Sequence, residues 1–321
     1  MKPVLCLGDV CMDLIVPYAE ALRAKVGGSS DPHAAHVLRT PGGSVANTAT
    51  SIAKLNVPVW FTGTCGNDAF GYELKCSFAD AGVDTHLLRT DDVHPTQLVL
   101  LILDENGDRT AFACPAHGGS QHAILPEQIP EGITDEIGWL HVSGMMLREN
   151  PAASVQLSVM QACHAASIPV SLDINARVEA IGNPFFYRNL VKAAKFADVI
   201  LGSAVDEIPL LAGQRDAESA AFALCEDGTT VIARNGDQGA VLYQNQCRVH
   251  FPAFSVNVKD AVGAGDTFDG AFIAARMKGQ PVEEAIRVAN AAAAVCVSRP
   301  GGRSGPTESE LCAFLKENPH P

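Results

Sequence analysis

Short apolar runs alternate with amphipathic stretches along most of this chain, and that alternation restricts the fold more than any other feature. The runs Val4–Leu7, Val57–Thr62, Trp139–Val142, Val170–Asp173, Val199–Leu201 and Thr230–Ala233 have the length and composition of buried strands. Between them lie Gly43–Leu55, Gly71–Ala81 (ended by Gly82), Ala152–Ala166, Tyr187–Ala194 and Ala217–Cys225, whose apolar residues recur with helical spacing. Parallel strands must be joined by crossovers, so this order predicts a mainly parallel α/β sheet covered by helices on both faces. One segment breaks the rhythm. Leu98–Leu103 and Arg109–Cys114 flank Asp104-Glu105-Asn106-Gly107, and Asn-Gly between β-rich runs predicts a hairpin standing apart as a flap or dimer edge. The C-terminal third is expected to be helix-rich, with helices over Asp266–Lys278, stopped by Gly279 and Pro281, and Val282–Ser298.

The 321 residues suit one large α/β domain or about two smaller ones. No repeat, low-complexity segment or linker divides the chain, so a single domain over 1–321 is expected. Hydrophobic residues make up 47%, enough for a large core, and a net charge of −13 argues against a nucleic-acid or anionic-membrane partner. A local anion site built from backbone N–H groups stays open. The ten cysteines are scattered from Cys6 to Cys312 with no C-x-x-C pair, and Asp9 and Asp13 interrupt the N-terminal apolar run before it reaches signal length. Reduced thiols in a cytoplasmic protein are expected. His33 and His36 have no further zinc ligands nearby. The longest apolar run, around Ala291–Val297, is far below the ~18–20 residues of a membrane span.

The segment from Val258 to Phe272 carries the chemistry. A strand-like run is expected to end at Val258, followed by Gly263-Ala264-Gly265 and an amphipathic helix. Small residues let an anion approach the backbone, and the first N–H groups of a helix lack partners and carry the positive end of its dipole. Together they form a cradle for a phosphate or a transferring phosphoryl group. Asp266 stands at its mouth. A carboxylate there repels phosphate, so it reads either as a helix N-cap or as a general base for a hydroxyl attacking phosphorus. Neither the G-x-G-x-x-G pattern, whose third glycine would fall on Phe268, nor G-x-x-x-x-G-K-[ST] is present.

Asp260-Ala261-Val262-Gly263-Ala264-Gly265-Asp266 resembles the C-terminal signature of the ribokinase (PfkB) family of carbohydrate kinases. The N-terminal signature resembles Gly42-Gly43-Ser44-Val45-Ala46-Asn47 followed by Gly63-Thr64-Cys65-Gly66-Asn67-Asp68-Ala69-Phe70-Gly71, and the likeness runs from Gly8 to about Pro306. The resemblance implies a ribokinase-like three-layer αβα fold with a mainly parallel central sheet and a small β-lid formed from parts of about 10–40 and 96–116. It implies Asp266 as base and the amides of Gly263, Ala264 and Gly265 as the anion hole. Arg234-Asn235-Gly236-Asp237-Gln238-Gly239 matches the nucleotide loop along the ATP phosphates, with Arg234 in place of the usual small or hydroxyl residue. Taken alone, Asn235-Gly236 and Gly239 also read as a hairpin turn. Asn290 matches a position bordering the adenine pocket, and otherwise reads as a helix-surface amide.

Magnesium should arrive with ATP. The Asn-x-x-Glu motif is half present, with Glu207 expected on Mg²⁺-bound water and Ala204 standing where the Asn would fall. A monovalent-cation (K⁺) site is implied at Asp260, Val262, Cys296, Arg299 and Gly301, mostly through backbone carbonyls. On the acceptor side Asp13 matches the hydroxyl-binding carboxylate, with Gly42, Gly43 and Asn47 adding contacts. His141-Val142-Ser143-Gly144 and Asp173-Ile174-Asn175-Ala176-Arg177 resemble motifs of 2-keto-3-deoxygluconate kinases and some fructokinase-like members. Asn175 and Arg177 are therefore substrate-binding candidates. The Arg177 fork suits a sugar-acid carboxylate, the ATP phosphates, or only a surface ion pair. The resemblance implies an ATP-dependent kinase for a small sugar or sugar acid, as a homodimer through the lid. A nucleoside kinase of the same fold and a non-catalytic sugar- or nucleotide-binding sensor are the alternatives.

Overall fold

The computed structural model describes residues 1–18, 22, 36–103, 109–176, 182–225 and 228–320. The expected hairpin turn at 104–107 and Arg177 lie outside them. A nine-stranded sheet forms the centre. Its strands are β1 (Val4–Leu7), β4 (Val59–Gly66), β5 (Asp84–Asp91), β8 (Trp139–Ser143), β9 (Val170–Asp173), β10 (Val199–Ser203), β11 (Thr230–Arg234), β12 (Ala240–Gln244) and β13 (Cys247–Phe251). The order is β13-β12-β11-β10-β9-β8-β1-β4-β5; the run from β11 to β5 is parallel, and β12 and β13 add antiparallel pairs at one edge.

A four-stranded sheet stands apart, in the order β3-β2-β6-β7, from β2 (Cys11–Val16), β3 (Leu38–Gly42), β6 (Leu98–Leu103) and β7 (Arg109–Cys114). It is the expected β-lid. Its β6–β7 pair is antiparallel, while β2 and β6 run parallel.

The two faces of the large sheet carry different helices. On one face, α1 (Ser44–Lys54), α2 (Ala69–Ala81), α7 (Ala264–Met277), α8 (Val282–Val297) and α9 (Glu308–Glu317) enclose a core that includes Phe61, Phe78, Phe272 and Ile286. On the other, α3 (Ala152–Ala165), α4 (Pro184–Ala194), α5 (Glu207–Ala212) and α6 (Ala217–Leu224) pack around Leu140, Met160, Phe186 and Leu190. Each helix buries its apolar stripe and leaves polar residues outside, which is the three-layer solution for a sheet apolar on both sides. Among the described residues no helix is long and apolar enough to cross a membrane, and the ten cysteines are all free.

Three departures from the sequence expectations have local causes. β4 runs past Thr62 to Gly66, because Gly63 packs where a Cβ would sit 2.5 Å from the Gly8 carbonyl; a glycine in a central strand gives no apolar signal. The edge strands β5 and β13 carry no such signal either, since edge strands alternate with polar residues and need no continuous apolar run, whereas β12 is a buried apolar run, Ala240–Tyr243, that sequence reasoning missed. No strand ends at Val258. Residues 252–263 lie outside regular structure and Val258 is exposed, so its β-branched neighbours have no strand to pair with.

Candidate active site

The functional candidates gather where open α/β sheets place ligands, beyond the C-terminal ends of the parallel strands. Asp9 follows β1 and caps α1 from outside that helix. Its Oδ2 accepts the Ser44 amide at 2.8 Å and its Oδ1 that of Val45 at 3.3 Å. The helix needs this outside cap because its own N-cap residue is Gly43, held at φ 99 with no side chain to offer. A Cβ on Gly43 would stand 2.6 Å from the Asp9 carbonyl, so the glycine is a packing requirement at this position.

α7 begins at Ala264, with Gly263 as N-cap at φ 74. Asp266 is thus inside the first turn and does not cap its own helix, which removes the N-cap reading. Its carboxylate turns to α1 instead. Oδ1 accepts the Ser44 hydroxyl and Oδ2 the Asn47 amide, each at 2.8 Å. Burial pushes the Asp266 carboxyl up to about 7, with the Asp173 and Asp9 charges adding to the rise and the Asn47 and Ser44 hydrogen bonds opposing it. A carboxylate poised near neutrality can take a proton from an alcohol and release it again. Gly263 meets the backbone so closely that a Cβ would stand 2.0 Å from the Gly302 carbonyl. The Ala264 amide spends itself on the Ala261 carbonyl at 3.3 Å, so of the three expected anion-hole donors this one already has a weak partner.

On the lid side, Asp13 projects from β2 opposite Thr40 of β3. Gly42 lies against it, with any Cβ there only 2.6 Å from the Asp13 Oδ2. Arg303 joins this carboxylate to the base. Its guanidinium donates through Nε to the Asn47 Oδ1 (3.0 Å), through Nη1 to the Ser77 hydroxyl (2.9 Å) and through Nη2 to the Gly42 carbonyl (3.1 Å), and it stacks on the Phe78 ring. Asp13, Gly42, Asn47 and Asp266 therefore gather around one guanidinium. Sequence reasoning missed Arg303, Asp9 and Ser44 as site residues. Ser44 and Asp9 adjoin the glycines of the N-terminal motifs, whereas nothing local marks Arg303.

The Arg234 side chain sits in an acidic cluster. It does not lie free along the nucleotide loop; Nη2 reaches Asp173 at 2.6 Å and Glu207 at 3.8 Å, and Nη1 reaches Asp269 at 2.9 Å. The guanidinium also packs on the first turn of α7, 2.8 Å from where a Gly265 Cβ would be. Glu207 is no exposed helix carboxylate: it is half-buried, accepts the Ser203 amide at 2.7 Å, and is raised by burial and by Asp173. Burial also raises Asp269, whose Oδ2 has no partner. Ala204 gives its amide to the Arg234 carbonyl at 2.8 Å.

The expected nucleotide loop is the β11–β12 hairpin turn, so its turn reading holds. The Asn235 amide bonds the Gly239 carbonyl at 2.7 Å, Gly236 has φ 55, and Gly239 has φ 86 with a Cβ position 2.1 Å from the Phe251 carbonyl. Asn290 is buried, not a surface amide. It donates to the carbonyls of Phe251 and Pro252 at 3.2 and 3.1 Å, and so braces the same segment as Gly239.

The cation candidates also come together. Asp260 accepts the Val262 amide at 2.9 Å and the Gly301 amide at 3.0 Å, joining two loops. The Cys296 thiol lies 3.8 Å from the Val262 carbonyl, and the Ser304 hydroxyl lies 2.6 and 3.1 Å from the carbonyls of Gly301 and Cys296. Converging carbonyl oxygens beside a carboxylate suit a hard monovalent cation. The Arg299 side chain points elsewhere, to Glu310 at the surface, leaving only its backbone for such a site. Among the described residues there is no cluster of three His, Cys, Asp or Glu able to hold a metal ion. Asn175 follows β9 at φ 38.

The family model for pfkB family carbohydrate kinases matches residues 1–309. The aminoimidazole riboside kinase of Salmonella typhimurium is 31% identical over 327 residues, covering 99% of this chain and 96% of that protein. In three dimensions the fructokinase of Xylella fastidiosa, solved with bound ATP, superposes with a TM-score of 0.87 at 24% identity, covering 100% of both chains. A fructokinase double mutant of Vibrio cholerae, solved in fructose-, ADP- and potassium-bound form, reaches 0.83 at 26% identity, covering 98% of each. The chain belongs to the PfkB family of carbohydrate kinases, has their ribokinase-like fold, and is a phosphotransferase with an alcohol acceptor.

Proposed function

We propose that this kinase transfers the γ-phosphoryl group of ATP to a hydroxyl of a small sugar or sugar acid, with Asp266 as the base. The observation that carries the reading is the buried Asp266 carboxylate at the first turn of α7, linked to Asp13 through Asn47, Arg303 and Gly42. Asp13, Asn47 and the backbone of Gly42 and Gly43 orient the polyol; a carboxylate can accept two hydroxyl donors. Asp266 takes the acceptor's proton as its oxygen attacks the γ-phosphorus and the bond to ADP breaks. The amides of Gly263 and Gly265 face the charge that builds on the transferring group. Asn235, Gly236 and Gly239 would shape the turn for the nucleotide, Asn290 would support it, and Glu207 would help hold the nucleotide's Mg²⁺. Mg²⁺ supplies charge neutralisation at the phosphates. Val262, Cys296, Arg299 and Gly301 would hold K⁺ by their carbonyls, with Asp260 fixing the two loops. Closing the lid excludes water and so limits ATP hydrolysis.

The lid leaves Val37, Leu38 and Phe112 more than half exposed, which supports a homodimer joined there. No nucleic-acid or membrane partner is proposed, and the cytoplasm is the proposed compartment. Arg177 stays a candidate for a sugar-acid carboxylate. The riboside-specific name of the Salmonella relative favours a nucleoside acceptor as the second reading.

ATP consumption over a panel of sugars, sugar acids and ribosides tests the assignment. Turnover with fructose-like or acid sugars is expected; turnover only with ribosides would move the chain to the second reading, and binding without turnover would make it a sensor. The pH profile is a second check. Asp266 must be ionised to act, so kcat/KM should rise with pH and level off above about 7. A profile flat from pH 5 to 8 would remove Asp266 as the titrating base.

A further inference from the structure

We propose that Arg303 is the positioning residue of the proton acceptor, locking the Asn47 amide in the orientation that serves Asp266 and tying that orientation to the end of lid strand β3. The inference rests on the proposed role of Asp266. An amide side chain can flip by half a turn and exchange its oxygen and nitrogen. Flipped, Asn47 would present an oxygen to the Asp266 carboxylate, and the two acceptors would repel. The Arg303 Nε–H at 3.0 Å from Oδ1 forbids this, because a guanidinium only donates. The same fork holds the Gly42 carbonyl and the Ser77 hydroxyl, and the Phe78 ring backs its face. Arg303 thus touches a lid strand, α2 and α1 at once.

The loop that presents Arg303 is itself pinned. The Lys54 ammonium reaches the Arg303 carbonyl at 2.6 Å and the Gly305 carbonyl at 3.1 Å. Charge gives Arg303 a second effect. Asp9 after β1, Asp173 at the end of β9, Asp269 one turn along α7 and Arg303 all bear on Asp266. Of these four, only Arg303 is a cation; Arg234 is taken up by Asp173, Asp269 and Glu207. Burial lowers the Arg303 guanidinium to about 10, and the surrounding Cys11, Asp13, Asp266 and Asp9 oppose that fall. It stays charged at neutral pH and favours the ionised form of Asp266.

The test is the pH dependence of kcat/KM in Arg303→Gln and Arg303→Lys, with acceptor affinity and thermal midpoint measured alongside. Arg303→Gln removes the charge and the fork. Its acid limb should move up by about one pH unit, with activity at pH 7 reduced by roughly tenfold or more and part of the loss recovered at pH 9. Arg303→Lys keeps the charge but cannot span Asn47, Gly42 and Ser77 together. Its limb should stay in place while kcat falls and KM changes little. A uniform loss in Arg303→Gln with an unmoved limb would overturn the proposal, as would an Arg303→Lys enzyme with wild-type kcat at every pH. Should Arg303→Gln fail to fold, the Arg303→Lys profile decides alone. The outcome separates from that of the base assignment: Asp266→Asn inactive with the Arg303→Gln limb unmoved sinks only the positioning role, whereas an active Asp266→Asn sinks the base.

Discussion

Asp266→Asn is expected to lose at least about a hundredfold in kcat, the usual worth of a positioned general base, while acceptor affinity by calorimetry stays close to wild type. The substitution keeps shape and polarity. The oxygen of the new amide can still accept from Asn47, and its nitrogen can donate to the Ser44 hydroxyl, so the site around it need not rearrange. The same variant has a stability signature of definite sign. In the folded chain Asp266 binds its proton up to about pH 7, against an ordinary carboxyl value of 3.8. The folded state therefore holds an extra proton between those values. The associated stability is fully present below about pH 4 and is lost as pH rises through about 7. Above pH 7 the chain carries a buried carboxylate at a cost of about 1.4 kcal/mol per unit of displacement. Asp266→Asn removes that cost, so its thermal midpoint should exceed wild type at pH 8 and the excess should shrink by pH 5. An active variant would end the base assignment; a midpoint below wild type at pH 8 would show that Asp266 carries no buried-charge cost there.

The largest stability loss is expected from Arg234→Met. The guanidinium lies among Asp173, Asp269 and Glu207, whose side chains are 4%, 0% and 15% exposed. Removing one partner of a buried ion pair leaves the others uncompensated, at a cost of about 3–5 kcal/mol. Without the cation Glu207 and Asp269, already raised by burial, take up protons more readily, so the penalty should be smaller at pH 5 than at pH 8. Urea midpoints at the two pH values measure both effects. Equal midpoints for variant and wild type at both would mean that the cluster is already neutral and the ion pairs contribute nothing. Activity should fall as well, since the same guanidinium packs on Gly265 at the expected anion hole.

Much of this architecture is readable in one dimension. Fully buried parallel strands must be continuous apolar runs, and so β1, β8, β9, β10 and β11 announce themselves within a residue or two. Glycines are equally legible where the backbone demands them. Gly263 at φ 74 and Gly239 at φ 86 stand in positions that a side chain would block. Edge strands β5 and β13 are not legible, because one-sided burial leaves no run to detect.

Residue order alone determined the α/β layering and the Gly263–Asp266 turn, since both are written in neighbours along the chain: strand period, helix period, and small residues before a helix. Tertiary structure alone decided which carboxylates meet which cations. Asn47 and Arg303 are 256 positions apart, and Arg234 is 61 from Asp173. It likewise turned Asp266 from its own helix toward Ser44 and Asn47. Charge pairing depends on distance and burial, and neither exists until the sheet has brought the strand ends together.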